Sequence, residues 1–484
     1  MKRISMIGAL LFVLALALFA GCGGGNDASP QAPLSANNIN LIFVVSPDLT
    51  YNAPGDIQPD TANLTSQGLQ RSLLMATYLK TQVLWSNNVT GIYALAPMTH
   101  LQTANHYPDM AAIGFIQPFA LQNQITISGT PANSYPINTS YASGDVPAVG
   151  VIEPSPYNPG AQGLAFNDVN GNNLALATRI ITAGVSGFHV FSAPWETISA
   201  LMADINNQQG YNLNLPASYA GPNIVYAISI PLSGNARLVT FDSKLNPPAT
   251  YPVLPPPPIV SASCTQQDYF SYTLTNGVNG VVVPAGMNTN QTVYLIRHAE
   301  AHPASGFEDG NFVGAGQWRA LALPNFLPYA LRGQPSPTVV YSIDPAQSFV
   351  LAADFSVSYV RPSLTVLPYV VANNLPYYLV ASFYISDPSD PTAAKNTSDF
   401  LFTGGNLSNQ TILLAWEHLH YPPLISYLLQ TYGVTVPPTA LPWPEDDYDT
   451  IWTVKLDDQG NLTVNNALCE GINSATLPKT APQF

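Results

Sequence analysis

Along residues 38–250 the apolar positions fall into short runs of strand length, "INLIFVVSPDL" first among them, separated by longer segments of helical character such as "LTSQGLQRSLLMATYL" from Leu64. Short β-branched runs bounded by turn formers read as buried strands. The same succession returns after residue 263. "QTVYLIRHAEA" matches the first run and "FVGAGQWRALALPNFL" from Phe312 the first helix, with glycine near the start in both copies. "VTGIYALAPMTHLQTA" from Val89 is matched by "TVVYSIDPAQS" and, after an insertion, by "SYVRPSLTV" from Ser358. "GFHVFSAPWETISALM" from Gly187 parallels "TILLAWEHLHYPPLISYLL" from Thr411. A hairpin signal with glycine at its turn closes each series: "IVYAISIPLSGNARLVTFD" and "TIWTVKLDDQGNLTVNN". Five pairs in one order predict a duplicated α/β unit, residues 38–250 and 264–484, in which helices cover a mainly parallel sheet. Between them the run "NPPATYPVLPPPPIV", Asn246 to Val260, favours polyproline II and marks 251–263 as a linker.

The first 21 residues have a basic start at Lys2 and Arg3, an apolar middle and small residues before Cys22, the pattern of a secretory signal. "LFAGC" further resembles a bacterial lipobox, which implies lipidation of Cys22, although Phe19 is unusual at its position. The apolar middle is shorter than the ~20 residues of a spanning helix. The polar, Gly- and Pro-rich residues 22–37 read as a flexible tether. The expectation is an exported protein held to a bacterial membrane of the cell envelope by its lipid. Charged residues are 9% of the 484 and the net charge is −14, so no basic stripe exists for nucleic acid. Cys264 and Cys469 remain, either as a disulfide, which an oxidising compartment favours, or as two thiols.

Chemistry-bearing residues concentrate in the second copy. Of seven histidines, four (His298, His302, His418 and His420) sit just after the strand-like runs "VYLI" and "ILLAW". Sites in such sheets form at the carboxyl ends of strands. "LIRHAE" resembles the signature of the histidine phosphatase superfamily, the phosphoglycerate-mutase-like fold. Supporting marks follow in order: Gly316-Gln317 with Ala320 opening the next helix, Arg361-x-x-x-Thr365, and a second strand-end histidine, His418. The resemblance covers about residues 264–484 and, weakened, 38–250.

It implies two tandem three-layer α/β/α domains and a phosphomonoester hydrolase acting on a small phosphorylated substrate without cofactor or metal. His298 would be the nucleophile and carry the phosphoryl group. Arg297, Arg361 and His418 would bind its oxygens, and Glu300 and Gln317 are weaker candidates for substrate contact. The family's second Arg usually follows a Ser-Pro, which "YSIDPAQS" lacks; Arg319 and Arg332 are alternatives that read as helix-surface charges. The proton donor is open among Asp387, Asp390 and Asp399, with Glu300 or Glu308 orienting the site instead, while strand alternation would turn Glu417 to the opposite face. The acidic run "EDDYD" at Glu445 reads as a solvated turn. A zinc site at the His cluster is disfavoured by the adjacent Arg. In the first copy, alignment puts Ser46 and Pro47 at the positions of Arg297 and His298, Pro194 near His418 and His100 near Arg361. The first copy should then be inert, and a non-catalytic binding lipoprotein that retains the fold is the alternative for the whole chain.

Overall fold

The computed structural model describes residues 33–51, 55–127, 129–139, 173–255, 269–303, 308–352, 355–383, 385 and 387–484. The signal over 1–21, Cys22 and Cys264 lie outside these residues; Cys469 is disulfide-bonded. No helix among the described residues is long and apolar enough to cross a membrane.

Residues 34–484 form one compact mixed α/β unit with two main sheets. The first contains β1 (Ile39–Val45), β2 (Gly91–Ala94), β3 (Gly187–Ala193), β4 (Ile224–Ile230) and β5 (Arg237–Asp242), in the order β2-β3-β1-β4-β5. The second contains β6 (Ser271–Leu274), β7 (Gln291–Arg297), β8 (Val339–Ile343), β9 (Tyr377–Val380), β10 (Thr411–Trp416), β11 (Thr450–Leu456) and β12 (Leu462–Cys469). Their order is β6-β12-β11-β7-β10-β8-β9. The stretch β8-β10-β7-β11-β12 repeats the order and directions of the first sheet, two parallel pairings followed by two antiparallel ones.

The sheets are therefore mixed and not mainly parallel. The reason is the pair of glycine-turn hairpins, β4–β5 and β11–β12, which return the chain antiparallel beside β1 and β7. On the other side of β1 and β7 the pairings are parallel, as crossover connections through helices require.

The helices are α1 (Ser66–Tyr78), α2 (Ala111–Ala120), α3 (Asn173–Ala183), α4 (Trp195–Gln209), α5 (Gly314–Ala330), α6 (Arg361–Asn373), α7 (Pro391–Phe402) and α8 (Tyr421–Thr431). Thr65 starts α1, its hydroxyl accepting from Gly68 N at 3.1 Å. Strand β7 is buried on both faces, which is why its sequence reads as a continuous apolar run. Tyr294 and Ile296 join a core with α5 and α6, while Val293 and Leu295 pack with Leu424, Ile425 and Leu428 of α8.

The core shared by the two halves runs from Leu41 and Ile113 to Leu323 and Val370. Helix α2 meets α6 so closely that a Cβ at Gly114 would fall 2.5 Å from Leu367 Cδ2. Asn63 Nδ2 donates to Leu375 O at 3.0 Å and the Tyr251 hydroxyl to Leu321 O at 3.0 Å.

Arg319, which the sequence places on a helix surface, is fully buried. Its face of α5 is covered by the C-terminal segment. Its Nε and Nη2 donate to Glu300 Oε1 at 2.9 and 2.8 Å, Nη1 to Glu470 Oε2 at 2.5 Å and Nη2 to Ile472 O at 2.8 Å. Arg332 is exposed, as its helix-end position predicts. Removing one member of a buried ion network strands the others in low dielectric. Arg319→Ala should lower stability by roughly 3–5 kcal/mol, read from urea unfolding; a loss under ~1 kcal/mol would refute the network's role.

Candidate active site

The end of β7 places Arg297 and His298 side by side, both buried. His298 N donates to Trp416 O at 3.1 Å, extending the β7–β10 ladder by one residue. His298 Nδ1 lies 2.8 Å from Ala299 O. A carbonyl can only accept, so Nδ1 carries the proton and the Nε2 lone pair stays free. Ala299 N donates to Thr365 Oγ1 at 2.8 Å, and that hydroxyl donates to Arg361 O at 2.9 Å. The Arg361-x-x-x-Thr365 spacing, one turn of α6, thus ties the loop bearing His298 to the first residue of the helix bearing Arg361.

Arg361 is buried at the start of α6, its guanidinium 5.0 Å over the Tyr359 ring, with Nη2 donating to Glu308 Oε1 at 2.5 Å. Arg297 Nη1 donates to the carbonyls of Glu445 and, at 3.3 Å, Asp447, and its guanidinium stacks 4.0 Å over Tyr448. Tyr359 and Tyr448 also flank the His298 ring, at 6.1 and 6.0 Å between centroids. Arg297 Nε and Arg361 Nε are each buried without a hydrogen-bond partner. Burial first, then the charges of Arg361 and Arg297, holds the His298 imidazole well below its ordinary pKa. This arrangement suits an anion: two fixed cations with donors to spare, beside a neutral imidazole.

His418 follows β10 and is buried. Glu417 Oε1 lies 2.7 Å from its Nδ1, and Glu445 Oε2 lies 3.2 Å from its Nε2. Ligand atoms of His298, Glu417 and His418 come within 4.8 Å of one another. That trio has the reach to hold a cation, but the two guanidiniums beside His298 oppose one.

Glu417 therefore lies in the site and not on the opposite face. Strand alternation fails there because β10 ends at Trp416, and Glu417 caps the following turn, accepting from Leu419 N at 2.8 Å. Burial raises its pKa, yet the hydrogen bond and charge of His418 outweigh this and leave it below the ordinary value. Glu445 and Tyr448 were hidden in the acidic run "EDDYD". Two aromatic rings, Tyr448 within that stretch and Trp443 two residues before it, were the signal that it is not merely solvated.

The remaining candidates are engaged with other groups. Glu300 Oε1 is committed to Arg319 and Ser474, and Gln317 is buried on α5 with its Oε1 unpartnered. Asp387 accepts from Ser389 and Asp390 caps α7, while Asp399 pairs with Lys395. His420 stacks on Trp416 at 4.5 Å, and His302 Nε2 lies 3.3 Å from Pro131 O of the first half.

In the first half the hydrogen bond from Ser46 N to Ala193 O, at 2.9 Å, occupies the place of the one from His298 N to Trp416 O. Ser46 therefore stands where His298 does and Val45 where Arg297 does, one residue from the register that alignment of apolar runs gives. The same shift puts Trp195 opposite His418. Helix α2 begins after Met110 as α6 does after Val360, so Ala111 and not His100 matches Arg361.

No protein-family model and no curated protein matches the sequence. Solved structures do: phosphoglycerate mutase from Plasmodium falciparum shares 13% identity over 41% of this chain and 99% of that one, at a TM-score of 0.24. The protein histidine phosphatase SixA complexed with tungstate shares 19% over 37% and 97%, at 0.23. SixA from Agrobacterium tumefaciens shares 15% over 34% and 91%, at 0.22. Overlaps of this size carry no inference about chemistry here, which rests on the residues of the site.

Because the pKa of His298 is depressed in the fold, the neutral ring should persist as pH falls through the ordinary value of 6.5. Histidine ring ¹⁵N spectra should show His298 uncharged, with the proton on Nδ1, at about pH 6. A titration midpoint at or above the ordinary value would contradict the site's electrostatics.

Proposed function

We propose that this protein is a phosphomonoester hydrolase of the histidine phosphatase, phosphoglycerate-mutase-like superfamily, working through a phosphohistidine at His298. One observation carries the reading: Arg297 and Arg361, buried beside a neutral His298, each keep an unpartnered Nε–H. Buried donors without partners are costly, and a phosphoryl group with three equatorial oxygens would satisfy them.

In the first step His298 Nε2 attacks phosphorus as the ester P–O bond breaks, with Arg297, Arg361 and His418 holding the equatorial oxygens. The leaving oxygen takes a proton from Glu445, whose side chain is 84% exposed at the mouth and next to His418. Glu417 is a poorer donor because His418 keeps it ionised. Water then attacks the phosphohistidine, returning its proton to Glu445 and releasing phosphate.

The repeated strand order supports descent of both halves from one duplicated domain, and the uncharged residues at Val45, Ser46, Ala111 and Trp195 support an inert first copy. We further propose that the protein is exported and lipid-anchored through Cys22 to a membrane of a bacterial cell envelope, with residues 22–37 as the tether.

Wild type should hydrolyse p-nitrophenyl phosphate, and His298→Ala should lose at least about a thousandfold in kcat. Equal rates, or a wild type inert across acidic and neutral pH, would overturn the hydrolase reading. Glu445→Gln should lose about a hundredfold on an alkyl phosphate, whose leaving oxygen must be protonated, and only a few-fold on the p-nitrophenyl ester. Equal losses on both esters would remove Glu445 from the proton-donor role.

A further inference from the structure

The carboxyl end of the first sheet, where the second half keeps its cations, holds acids instead. Asp48 follows β1, His100 follows β2, Asp109 stands two residues before α2, and Glu196 lies in the first turn of α4 after β3. Asp48 and Asp109 are fully buried, a placement that carboxylates take only with partners.

Each of these two uses one oxygen on a main-chain N–H. Asp48 Oδ1 accepts from Thr50 N at 2.7 Å and Asp109 Oδ1 from Ala111 N at 2.8 Å. The second oxygens turn inward. Asp48 Oδ2 lies 2.7 Å from His100 Nε2, whereas Asp109 Oδ2 is buried with no hydrogen bond of normal geometry, the Gln102 side-chain amide being only close enough to favour the ionised form of Asp109. Ligand atoms of Asp48, His100 and Asp109 lie within 4.8 Å of one another, and Glu196 Oε1 stands 3.9 Å from the imidazole nitrogen. Among the described residues no Lys or Arg is ion-paired with any of the four.

We propose that Asp48, His100 and Asp109, with Glu196 at the rim, bind a first-row divalent metal ion of the zinc type. One imidazole nitrogen with two or three carboxylate oxygens matches the ligand number and type of such an ion, and a hard cation such as calcium would not select the imidazole. The main-chain N–H bonds to the two buried aspartates fix the oxygens that face inward, as outer partners of metal ligands do. A divalent charge would offset the three carboxylates and occupy the free Asp109 Oδ2. The occupant that competes with it is a proton: His100 as imidazolium pairs with Asp48, and its charge acts on Asp109, with no metal at all. The ion would join the ends of β1 and β2 to the starts of α2 and α4, so its expected effect is on stability. The inference is independent of the hydrolase reading of the second half.

The test is calorimetric titration of the chelator-treated full chain with Zn²⁺ at neutral pH, with thermal melting in parallel. One Zn²⁺ should bind per chain, and the melting temperature should rise with Zn²⁺ concentration. Asp109→Asn and His100→Ala should weaken binding by more than about tenfold. His298→Ala, in the other His-carboxylate group, should leave the affinity unchanged. Absence of binding heat and of any thermal shift in wild type would assign the cluster to a proton and overturn the proposal. So would binding that survives His100→Ala or disappears with His298→Ala. If Asp109→Asn fails to fold, His100→Ala decides alone, since its side chain is partly exposed.

Discussion

Two guanidinium groups buried beside one imidazole are the arrangement on which this structure turns. Burying a cation costs several kcal/mol unless its donors are met, and a second cation nearby adds repulsion. The chain meets most of that cost locally: Glu308 and the Tyr359 face for Arg361, two carbonyls and the Tyr448 face for Arg297. It leaves one donor on each side unmet. The same two charges, with burial, keep His298 neutral, so the feature that prepares a place for an anion also keeps a ring nitrogen unprotonated beside it.

The loops that carry these groups are held from outside the second half as well. Ser134 donates to Asp309 Oδ2, Asn311 Nδ2 donates to Tyr135 O at 3.3 Å, and Thr139 N donates to Ser358 Oγ at 2.8 Å. Asp309 and Asn311 adjoin Glu308, the partner of Arg361, and Ser358 adjoins Tyr359. A first half without the imidazole and the two guanidiniums thus supports the positions of both in the second. The sheets share five strands in one order, yet where the second has Arg297 and Arg361 the first has Val45 and Ala111, which shows how little of the chemistry the strands themselves dictate.

Much of this was legible in the sequence because strand ends are marked by a change from apolar to polar residues. His298, Arg297 and His418 all lie at such a change, and the one-turn spacing of Arg361 and Thr365 was visible as a pattern. What escaped depended on non-local cover. Arg319 reads as a surface charge on α5 because nothing nearby announces that Glu300 and Glu470, far apart in sequence, will enclose it. Glu417 escaped because the strand ends with its apolar run at Trp416, so alternation of faces no longer governs the residue that follows. The single-residue shift between the halves escaped because period-two alternation fixes the face of a residue but not the end of a ladder. The antiparallel sides of both sheets were implicit in the two hairpin signals, which prescribe reversal of the chain.

The central claim is that His298 Nε2 forms a covalent bond to phosphorus. It is tested most directly by mixing enzyme and phosphate ester, quenching in alkali, where phosphohistidine survives, and mapping phosphorylated peptides by mass spectrometry. The account predicts one phosphoryl group on the peptide containing His298, attached at Nε2, and none in His298→Ala. Turnover by wild type without any such adduct under rapid quench, or an adduct on another residue, would contradict it.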